Sequence, residues 1–274
     1  MAIVRFYLPA NMFATTAHYS ETITYMGYGL IQIDDAVGNE VDYFGTFTYD
    51  SLGYLSGGRI ESVAQYYYGS LAATVDNLNV RALDLEDAYL TGDYFNLYFD
   101  ALAGADRIIG SSSTDGLAGF GGDDVIKGRG GWDVISGHHG RDKIYGGSGR
   151  DLLYGDGDAD RLFGGSGNDR LFGGSGRDWL DGGTGNDRLK GGAGEDVFVF
   201  NRGFGKDIVK DFQNNVDTIR LNDSIWGGGL TKAQMLRKYA EDTGRDVVLD
   251  FGRHEITFED VGSIGALADD ITIF

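Results

Sequence analysis

The chain has 274 residues, a net charge of −19, 46 glycines, one proline and no cysteine. The missing cysteines exclude a disulfide scaffold, a thiolate zinc site and a cysteine nucleophile, and glycine without proline excludes collagen. The acidity argues against binding to nucleic acid or to an anionic membrane surface, and no apolar run is long enough for a membrane span or a signal peptide.

Residues 1–100 form the first of three compositional zones. They carry 13 acidic and 3 basic side chains and 19 of the 35 aromatic residues. Alternation of apolar and polar residues predicts strands over 22–33, 41–49, 59–68 and 71–75. Turns are predicted at 50–53 and 56–58, and short helices over 84–89 and 93–102. The zone is therefore predicted to be a small antiparallel β domain with capping helices.

Three consecutive tyrosines mark the strand predicted over 59–68. Tyr66 and Tyr68 share one face of that strand, and Tyr67 lies on the other. The pair is a candidate partner-binding platform, because sugar rings stack on aromatic faces. Cross-strand packing inside the sheet is the competing interpretation.

Residues 101–199 follow a strict nine-residue period through eleven consecutive repeats. The first position is Gly in ten repeats, the fourth is Gly in nine, and the eighth is always large and apolar. The sixth position is always Asp, at Asp106, Asp115, Asp124, Asp133, Asp142, Asp151, Asp160, Asp169, Asp178, Asp187 and Asp196. This zone holds 28 of the 46 glycines, so it is predicted to be a repeat structure.

The residue types in each repeat predict a short strand and a turn. One inward apolar residue between two outward ones indicates a strand of about three residues, and the six Gly-rich residues before it form a turn that needs positive φ. Two strands and two turns give an 18-residue coil, and stacked coils give an all-β parallel β-roll. The eighth-position Leu and Ile residues would fill its thin core.

Stacking the coils creates an electrostatic problem in the turns. Sixth-position carboxylates two repeats apart would lie about 4.8 Å apart, where like charges repel. A hard cation relieves this repulsion, and calcium accepts six to eight carboxylate and carbonyl oxygens in flexible geometry. Magnesium fits less well, because it demands tighter octahedral ligation. Turn caps without metal are the alternative, in which the stacked carboxylates would destabilise the roll.

These repeats resemble the hemolysin-type calcium-binding repeats of RTX (repeats-in-toxin) proteins. The resemblance implies a calcium ion between repeats n and n+2, and therefore at most nine ions. Both sixth-position Asp side chains and carbonyls of the first, third and fifth positions would hold each ion. The implied carbonyl ligands include Gly137, His139, Gly146, Ser148, Gly155, Gly157, Gly164, Ser166, Gly173, Ser175, Gly182, Thr184, Gly191 and Ala193. The first two repeats depart from the consensus at Leu102, Ser111 and Ser113, and the seventh departs from it at Asp158.

Residues 200–274 are predicted to be a C-terminal cap. The segments 205–212 and 217–221 resemble those that close the β-roll of serralysin-type RTX proteins. A helix is predicted over 230–239 with Thr231 as N-cap, and a hairpin over 247–251 and 255–258. The acidic and then apolar end, 269–274, resembles the uncleaved C-terminal signal of type I secretion substrates; an ordinary last strand is the alternative. The resemblance implies secretion by a type I machinery and folding in extracellular calcium.

The motifs of common hydrolases are missing from the sequence. It contains neither the H-E-x-x-H of zinc proteases nor the G-x-S-x-G of lipases. His138 and His139 occupy turn positions and are interpreted as solvated. Tyr145, Phe163, Tyr154 and Phe172 occupy the outward ninth position, as one predicted stacked pair on each sheet. They are covered by a terminal domain or form an interaction surface.

The sequence as a whole predicts a secreted, non-catalytic calcium-binding protein. The roll would fold on calcium binding, and the N-terminal β domain would bind a cell-surface or polysaccharide ligand. Two alternatives stay open: a hydrolase with paired carboxylates in the N-terminal zone, and a structural, S-layer-like protein that self-associates. Three domains are expected, over 1–100, 101–199 and 200–274.

Overall fold

The computed structural model describes residues 104–110 and 112–274 in full, together with the backbone of five earlier strands. The chain divides into two compact units, Met1–Ile109 and Gly110–Phe274. The helices predicted over 84–89 and 93–102 and the turn predicted at 50–53 lie outside the described residues.

The first unit contains antiparallel strands, each paired with the next along the chain. They are β1 (Ile3–Tyr7), β2 (Gly27–Asp34), β3 (Glu40–Tyr49), β4 (Leu55–Tyr67), β5 (Ser70–Arg81) and β6 (Arg107–Ile109). The predicted antiparallel β architecture is confirmed for β1 to β5. β6 belongs to the first repeat of the predicted parallel roll, and its pairing with β5 is instead antiparallel.

The turn predicted at 56–58 is wrong, because β4 runs through it. Thr48 pairs with Gly57 and Tyr49 pairs with Leu55, so Ser56 is an extra residue in the strand. Gly57 and Gly58 therefore follow a β-bulge and are not a chain reversal.

The second unit begins with a parallel β-roll whose successive strands alternate between two sheets. Sheet 1 receives the even strands from β8 and sheet 2 the odd strands from β7. The strands are β7 (Gly116–Ala118), β8 (Val125–Gly131), β9 (Val134–His139), β10 (Lys143–Gly149), β11 (Leu152–Gly157), β12 (Arg161–Ser166), β13 (Arg170–Ser175), β14 (Trp179–Thr184), β15 (Arg188–Ala193) and β16 (Val197–Phe200). Lys143 pairs with Arg161 and Arg161 pairs with Trp179. The register thus advances by 18 residues, which confirms the predicted coil of two strands and two turns.

The roll strands from β8 to β16 are longer than the predicted three residues, whereas β7 has three. β12 and β13, for example, each span six residues. The ladder continues into the first half of the turn, where Gly147 pairs with Gly165 and Ser148 with Ser166. Turns of identical shape that stack on one another form backbone hydrogen bonds between coils, as strands do. The residues of a single repeat do not reveal this pairing, because it involves two coils.

The core of the roll is one residue wide on each strand, as predicted. The eighth-position side chains from Ile126 to Phe198 are 0% exposed. Alternation then places the seventh and ninth positions on the outward face of each sheet.

The C-terminal segment extends both sheets of the roll and closes it. Sheet 1 continues with β18 (Thr218–Leu221) and β22 (Ile271–Ile273), and sheet 2 with β17 (Lys206–Val209), β21 (Glu255–Phe258), β20 (Val247–Asp250) and β19 (Ala240–Asp242). A short 3-10 helix spans Asp223–Ile225, and two helices follow, α1 (Lys232–Tyr239) and α2 (Ile264–Ala268).

The sequence located the main elements of this closure. Thr231 caps α1 and forms a reciprocal capping box with Gln234. β20 and β21 form the predicted hairpin, and the chain ends in a strand parallel to β18. In the described part of the chain, no helix has the length and apolarity needed to cross a membrane.

Candidate calcium sites in the turns of the roll

The eleven sixth-position aspartates form what we call the carboxylate ladder. The backbone N–H of each member from Asp115 to Asp178 donates to Oδ1 of the member 18 residues later, at 2.8 Å from Asp142 to Asp160 and from Asp151 to Asp169. The same bond recurs from Asp115 through Asp196. All members except Asp115 are buried, at 4% exposed or less. One oxygen of each linked carboxylate is therefore bonded to the backbone N–H of the preceding coil.

The second carboxylate oxygen is not satisfied in the same way. Eight Oδ2 atoms of the ladder are buried without any hydrogen-bond donor. They belong to Asp133, Asp142, Asp151, Asp160, Asp169, Asp178, Asp187 and Asp196. A buried oxygen without a donor costs about 1–3 kcal/mol, and more when it is charged. Eight such atoms in one structure fit the binding of an electropositive group.

The first-position glycines leave room beside these oxygens. A Cβ added to Gly146 would lie 2.5 Å from Oδ2 of Asp151 and 2.7 Å from the carbonyl oxygen of Gly164. A Cβ added to Gly164 would lie 2.5 Å from both Oδ2 of Asp169 and the carbonyl oxygen of Gly182. A carboxylate oxygen of one repeat and a carbonyl oxygen two repeats later thus flank the same small space.

Burial makes these carboxyl groups harder to ionise. Loss of solvation raises the pKa of Asp160 to about 8 and that of Asp169 to about 7. The donated backbone N–H opposes this rise, and the neighbouring ladder carboxylates add to it. The pKa values of Asp133, Asp142, Asp178, Asp187 and Asp196 rise to about 6 for the same leading reason. A bound cation would reverse this penalty, because it stabilises the ionised form.

Main-chain carbonyls are the other oxygen donors in the turns. Some third-position carbonyls already accept a backbone N–H: that of Thr184 from Gly167 and that of Ala193 from Gly176, both at 2.8 Å, and that of His139 from Gly122 at 3.0 Å. A carbonyl has a second lone pair, so their predicted role as ligands is compatible with these bonds and stays a prediction.

The donor set contains oxygen only, and few side chains meet at any point. Within residues 104–110 and 112–274, no three carboxylate or imidazole groups are grouped so as to hold a metal ion. A site built from side chains alone is therefore absent from this part of the chain. Carboxylate oxygens supplemented by carbonyls remain, and hard, flexibly coordinated calcium fits that set.

A groove of about 810 Å³ runs along one edge of the roll. Ladder members Asp124, Asp142, Asp160 and Asp178 line it. Its rim also contains Arg141, Lys143, Arg161 and Arg177, and Arg177 forms an ion pair with Glu195. The edge that contains ladder carboxylates is thus open to solvent and bordered by cations.

The turns that depart from the consensus have their own local contacts. His138, Asp156 and Asp158 adopt φ of 70–73° at positions where other repeats have glycine. His138 stacks on Phe120 at 5.3 Å and has Nδ1 4.0 Å from Oδ2 of Asp156. Both His138 and His139 are exposed, which confirms their interpretation as solvated turn residues.

The ladder continues beyond the last nonapeptide, which the sequence analysis missed. Asp187 N–H donates to Oδ1 of Asp207 at 3.0 Å, and Asp196 N–H donates to Oδ1 of Asp217 at 3.1 Å. Both acids are 2% exposed, and burial raises the pKa of Asp207 to about 8. The signal was present: Asp207-Ile208-Val209 and Asp217-Thr218-Ile219 repeat the order Asp, any residue, apolar. The nine-residue spacing hid it, because these steps are 11 and 10 residues long.

Asp217 differs from the eight carboxylates whose Oδ2 has no donor, because both of its oxygens are bonded. Oδ2 accepts the N–H of Gln213 at 2.8 Å. Nearby, Asp211 accepts the N–H of Gly191 at 2.9 Å and that of Gly192 at 3.0 Å. Backbone amides thus satisfy these carboxylates at the end of the roll.

The predicted outward aromatic pairs are present. Tyr145 and Phe163 stack at 4.9 Å on sheet 1, and Tyr154 and Phe172 stack at 5.1 Å on sheet 2. Tyr66 and Tyr67 end strand β4, whereas Tyr68 and the side chains of that strand lie outside the described residues. A partner-binding role for any of them stays a prediction.

Comparison with known proteins gives one family match and two similar solved structures. The family model of the RTX calcium-binding nonapeptide repeat matches residues 117–144, 139–171 and 172–206. The extracellular lipase LipA of Serratia marcescens is similar at 20% identity and a TM-score of 0.35, with 60% of this chain covered. The AlgE6R3 subunit of the Azotobacter vinelandii mannuronan C5-epimerase is similar at 21% identity and a TM-score of 0.26, over 59% of this chain and 80% of its own.

The match to the lipase spans only 39% of that protein's length. No curated protein matches the chain. The family match coincides with the carboxylate ladder and the glycine-lined turns. Residues 117–206 are RTX calcium-binding nonapeptide repeats folded as a β-roll, and the chain is a calcium-binding repeat protein.

Proposed function

We propose that the protein is a secreted, non-catalytic binding protein whose roll assembles when calcium enters the carboxylate ladder. The eight buried Oδ2 atoms without a donor carry this proposal. Calcium would bind Oδ2 of a ladder Asp together with first- and third-position carbonyls of the stacked turns. It supplies positive charge where the fold places buried negative charge. Folding and binding are then one equilibrium, because the unfolded chain has no preformed site.

The number of ions follows from the pairs of stacked repeats. The sites supported best use the ladder from Asp133 to Asp196, where each carboxylate has an oxygen left over. Repeats at the N-terminal end would add sites up to the nine that the spacing allows. The ladder ends without calcium at Asp217, whose oxygens are both bonded to amides.

The calcium proposal is tested on the full chain by titration. Far-UV circular dichroism should show a largely disordered roll in chelator and β structure at millimolar calcium. Calorimetry should show several ions bound per chain, with magnesium at the same concentration producing little folding. A roll that is fully folded in chelator, or folded equally by magnesium, would contradict the proposal.

We also propose export of the unfolded chain by a type I machinery, followed by folding outside the cell. The terminal strand supports this order, because Ile271 is 3% exposed in the folded cap. A receptor could read the end of the chain only before the cap folds. Deleting residues 269–274 should abolish export from a host with a type I exporter and leave the protein inside the cell. Export of the truncated chain at the normal level would contradict this order.

The binding role is proposed for the surfaces that calcium and the core leave free. The sequence lacks the two hydrolase motifs sought above, and the ladder carboxylates that line the groove are engaged in stacking the coils. We retain the three-part division at residues 100 and 199 as part of this proposal. Cell-surface or matrix polysaccharide is the proposed ligand class, and binding should require calcium because the roll does.

A further inference from the structure

The outward face of sheet 1 carries side chains that neither the core nor the carboxylate ladder uses. We call it the cationic–aromatic face. It consists of Lys127, Lys143, Tyr145, Arg161, Phe163 and Trp179. Within the described residues, Lys127, Lys143 and Arg161 form no ion pair.

Parallel pairing arranges this face in two adjacent rows. In the seventh-position row, Lys143, Arg161 and Trp179 follow one another on β10, β12 and β14. In the ninth-position row, Lys127, Tyr145 and Phe163 follow one another on β8, β10 and β12. Lys143 therefore lies beside Tyr145, and Arg161 beside Phe163, each pair on one strand. Successive strands are about 4.8 Å apart, so both rows have a fixed repeat distance.

The ninth-position row also contains an acid that hydrogen bonds already engage. Asp181 continues the ninth-position row, but its oxygens accept hydrogen bonds from Asn201 Nδ2 at 2.9 Å and from the N–H of Gly183 at 3.1 Å. Lys143 and Arg161 are exposed. The face is thus a local cationic surface on a protein with a net charge of −19.

The rings of the face are held in a fixed orientation. Tyr145 and Phe163 are inclined by only 9°, and Lys127 Nζ lies 5.6 Å above the Tyr145 ring. Arg220 lies 5.0 Å from the Trp179 ring. Flat aromatic surfaces beside a guanidinium and an ammonium group offer a polymer two kinds of contact. The ring faces stack on the apolar faces of sugar rings, and the cations bind carboxylates, which Arg can grip with two hydrogen bonds.

We infer that the cationic–aromatic face binds an acidic polysaccharide, with one chain of the polymer lying along the two rows. An acidic polysaccharide has carboxylates and sugar rings at regular intervals along its chain. The face has cations and aromatic rings that recur from strand to strand, and these can contact the carboxylates and the sugar rings respectively. A nucleic acid or an anionic membrane surface carries negative charge at a higher density than a polymer with one carboxylate per one or two sugars, so the acidity of the whole protein opposes their approach more strongly. This inference rests on the proposed function, because it places the proposed polysaccharide ligand on the calcium-folded roll.

The experiment compares charge-matched variants of the calcium-loaded full chain. Hyaluronan, a uronate polymer that calcium does not gel, is the acidic probe, and neutral dextran is its control. The double variant K143Q/R161Q should weaken hyaluronan binding by about tenfold or more, because it removes two cations that bind carboxylates. A tenfold loss corresponds to about 1.4 kcal/mol. The control R202Q/R237Q removes the same charge from exposed positions in the closure and should change the affinity less than about twofold.

A second pair of variants tests the rings. Y145A/F163A should lose affinity for hyaluronan, whereas Y154A/F172A, which removes the equivalent stacked pair of sheet 2, should retain it. Equal losses in the two variants, or equal losses in the two charge variants, would overturn the assignment to this face. So would equal binding of dextran and hyaluronan, or the absence of hyaluronan binding.

Two further measurements separate this inference from the proposed function. Calcium stoichiometry and circular dichroism are recorded for every variant. Failure to fold on calcium would refute the proposed function, whereas normal calcium folding without hyaluronan binding would refute only the inference. Sedimentation without polysaccharide tests a different occupant. Self-association that K143Q/R161Q abolishes would make the face an interface between copies and overturn the polysaccharide assignment.

Discussion

The turns of the roll and the C-terminal closure share one hydrogen bond to an Asp side chain but differ in what contacts the second oxygen of that side chain. In both, a backbone N–H donates to Oδ1 of an Asp in the next layer, from Asp160 to Asp178 in the roll and from Asp196 to Asp217 at its end. In the roll, Oδ2 of Asp178 has no donor. In the closure, Oδ2 of Asp217 accepts the N–H of Gln213. One carboxylate therefore needs a cation, and the other is satisfied by the chain itself.

The two regions also differ in how much core they bury. Each roll strand contributes its eighth-position side chain to the core, whereas the closure packs a helix, a hairpin and several aromatic rings together. Met235, Leu249 and Phe258 are 0% exposed there, and Phe212 contacts both Phe198 and Phe258. Burial of these apolar side chains stabilises the closure independently of metal. The comparison indicates that the closure is folded before calcium binds, and that the calcium-dependent coils then stack on it.

Calcium removal should therefore act unequally on the two regions, and this is the largest effect expected. Hydrogen exchange on the full chain in chelator should show loss of protection across residues 117–196. Amides of α1 and of the β20–β21 hairpin should keep much more of theirs, because local stability follows buried core and satisfied hydrogen bonds. Uniform loss of protection in both regions would break the comparison.

The sequence predicted the roll in detail because its rules are local and repeated. Register, inward Leu and Ile, turn glycines and the stacking of Asp160 on Asp178 all follow from a nine-residue period. It missed Asp207 and Asp217, because a ladder member is defined by its layer and not by its spacing. It also missed the bulge at Ser56, since a bulge depends on pairing with a partner strand.

Acidification should partly replace calcium, and the expected effect is smaller than that of the metal. An Asp carboxyl ordinarily has a pKa of 3.8, and burial raises that of Asp160 to about 8 and that of Asp169 to about 7. Because the folded-state values are raised, the folded roll holds more protons than the unfolded chain. The resulting stabilisation is complete below about pH 4 and is lost as pH rises through these folded values.

The metal-free chain should therefore gain β structure as pH falls from about 8 to about 5. Calcium affinity should decrease as pH falls over this range, because protons and calcium compete for the same oxygens. Circular dichroism in chelator and calcium titrations at several pH values measure the two trends. Metal-free β structure that increases with pH would show that the ladder carboxylates are not the controlling groups.

Matched substitutions in the ladder sharpen the comparison further. Asp160→Asn should weaken calcium binding at the sites that share this carboxylate and lower stability in calcium by about 3 kcal/mol. In chelator it should be neutral or stabilising, because it removes an ionisable group whose burial is unfavourable without metal. Asp217→Asn should cost about 1–3 kcal/mol with or without calcium, because its amide N–H₂ would face the Gln213 N–H.

Denaturant melts of both variants, each with calcium and with chelator, give the four free energies of unfolding that this prediction compares. The calcium-dependent difference should be large for Asp160→Asn and close to zero for Asp217→Asn. A calcium-dependent effect of the same size at Asp217 would place a cation at the closure as well, and the distinction between the two regions would fail.

The smallest expected effect comes from the glycine beside a ladder oxygen. In Gly164→Ala the new methyl group would lie 2.5 Å from both Oδ2 of Asp169 and the carbonyl oxygen of Gly182. It would push apart the two oxygens that converge on the proposed ion, at a cost of about 1–3 kcal/mol for an overpacked site. Gly116→Ala is the matched control, since Gly116 also lies in a roll strand and a Cβ there meets nothing within 4 Å. Calcium midpoints should rise for Gly164→Ala and stay unchanged for Gly116→Ala. Equal midpoints would mean that the space beside Oδ2 holds no ion, and the buried carboxylates would then require another explanation.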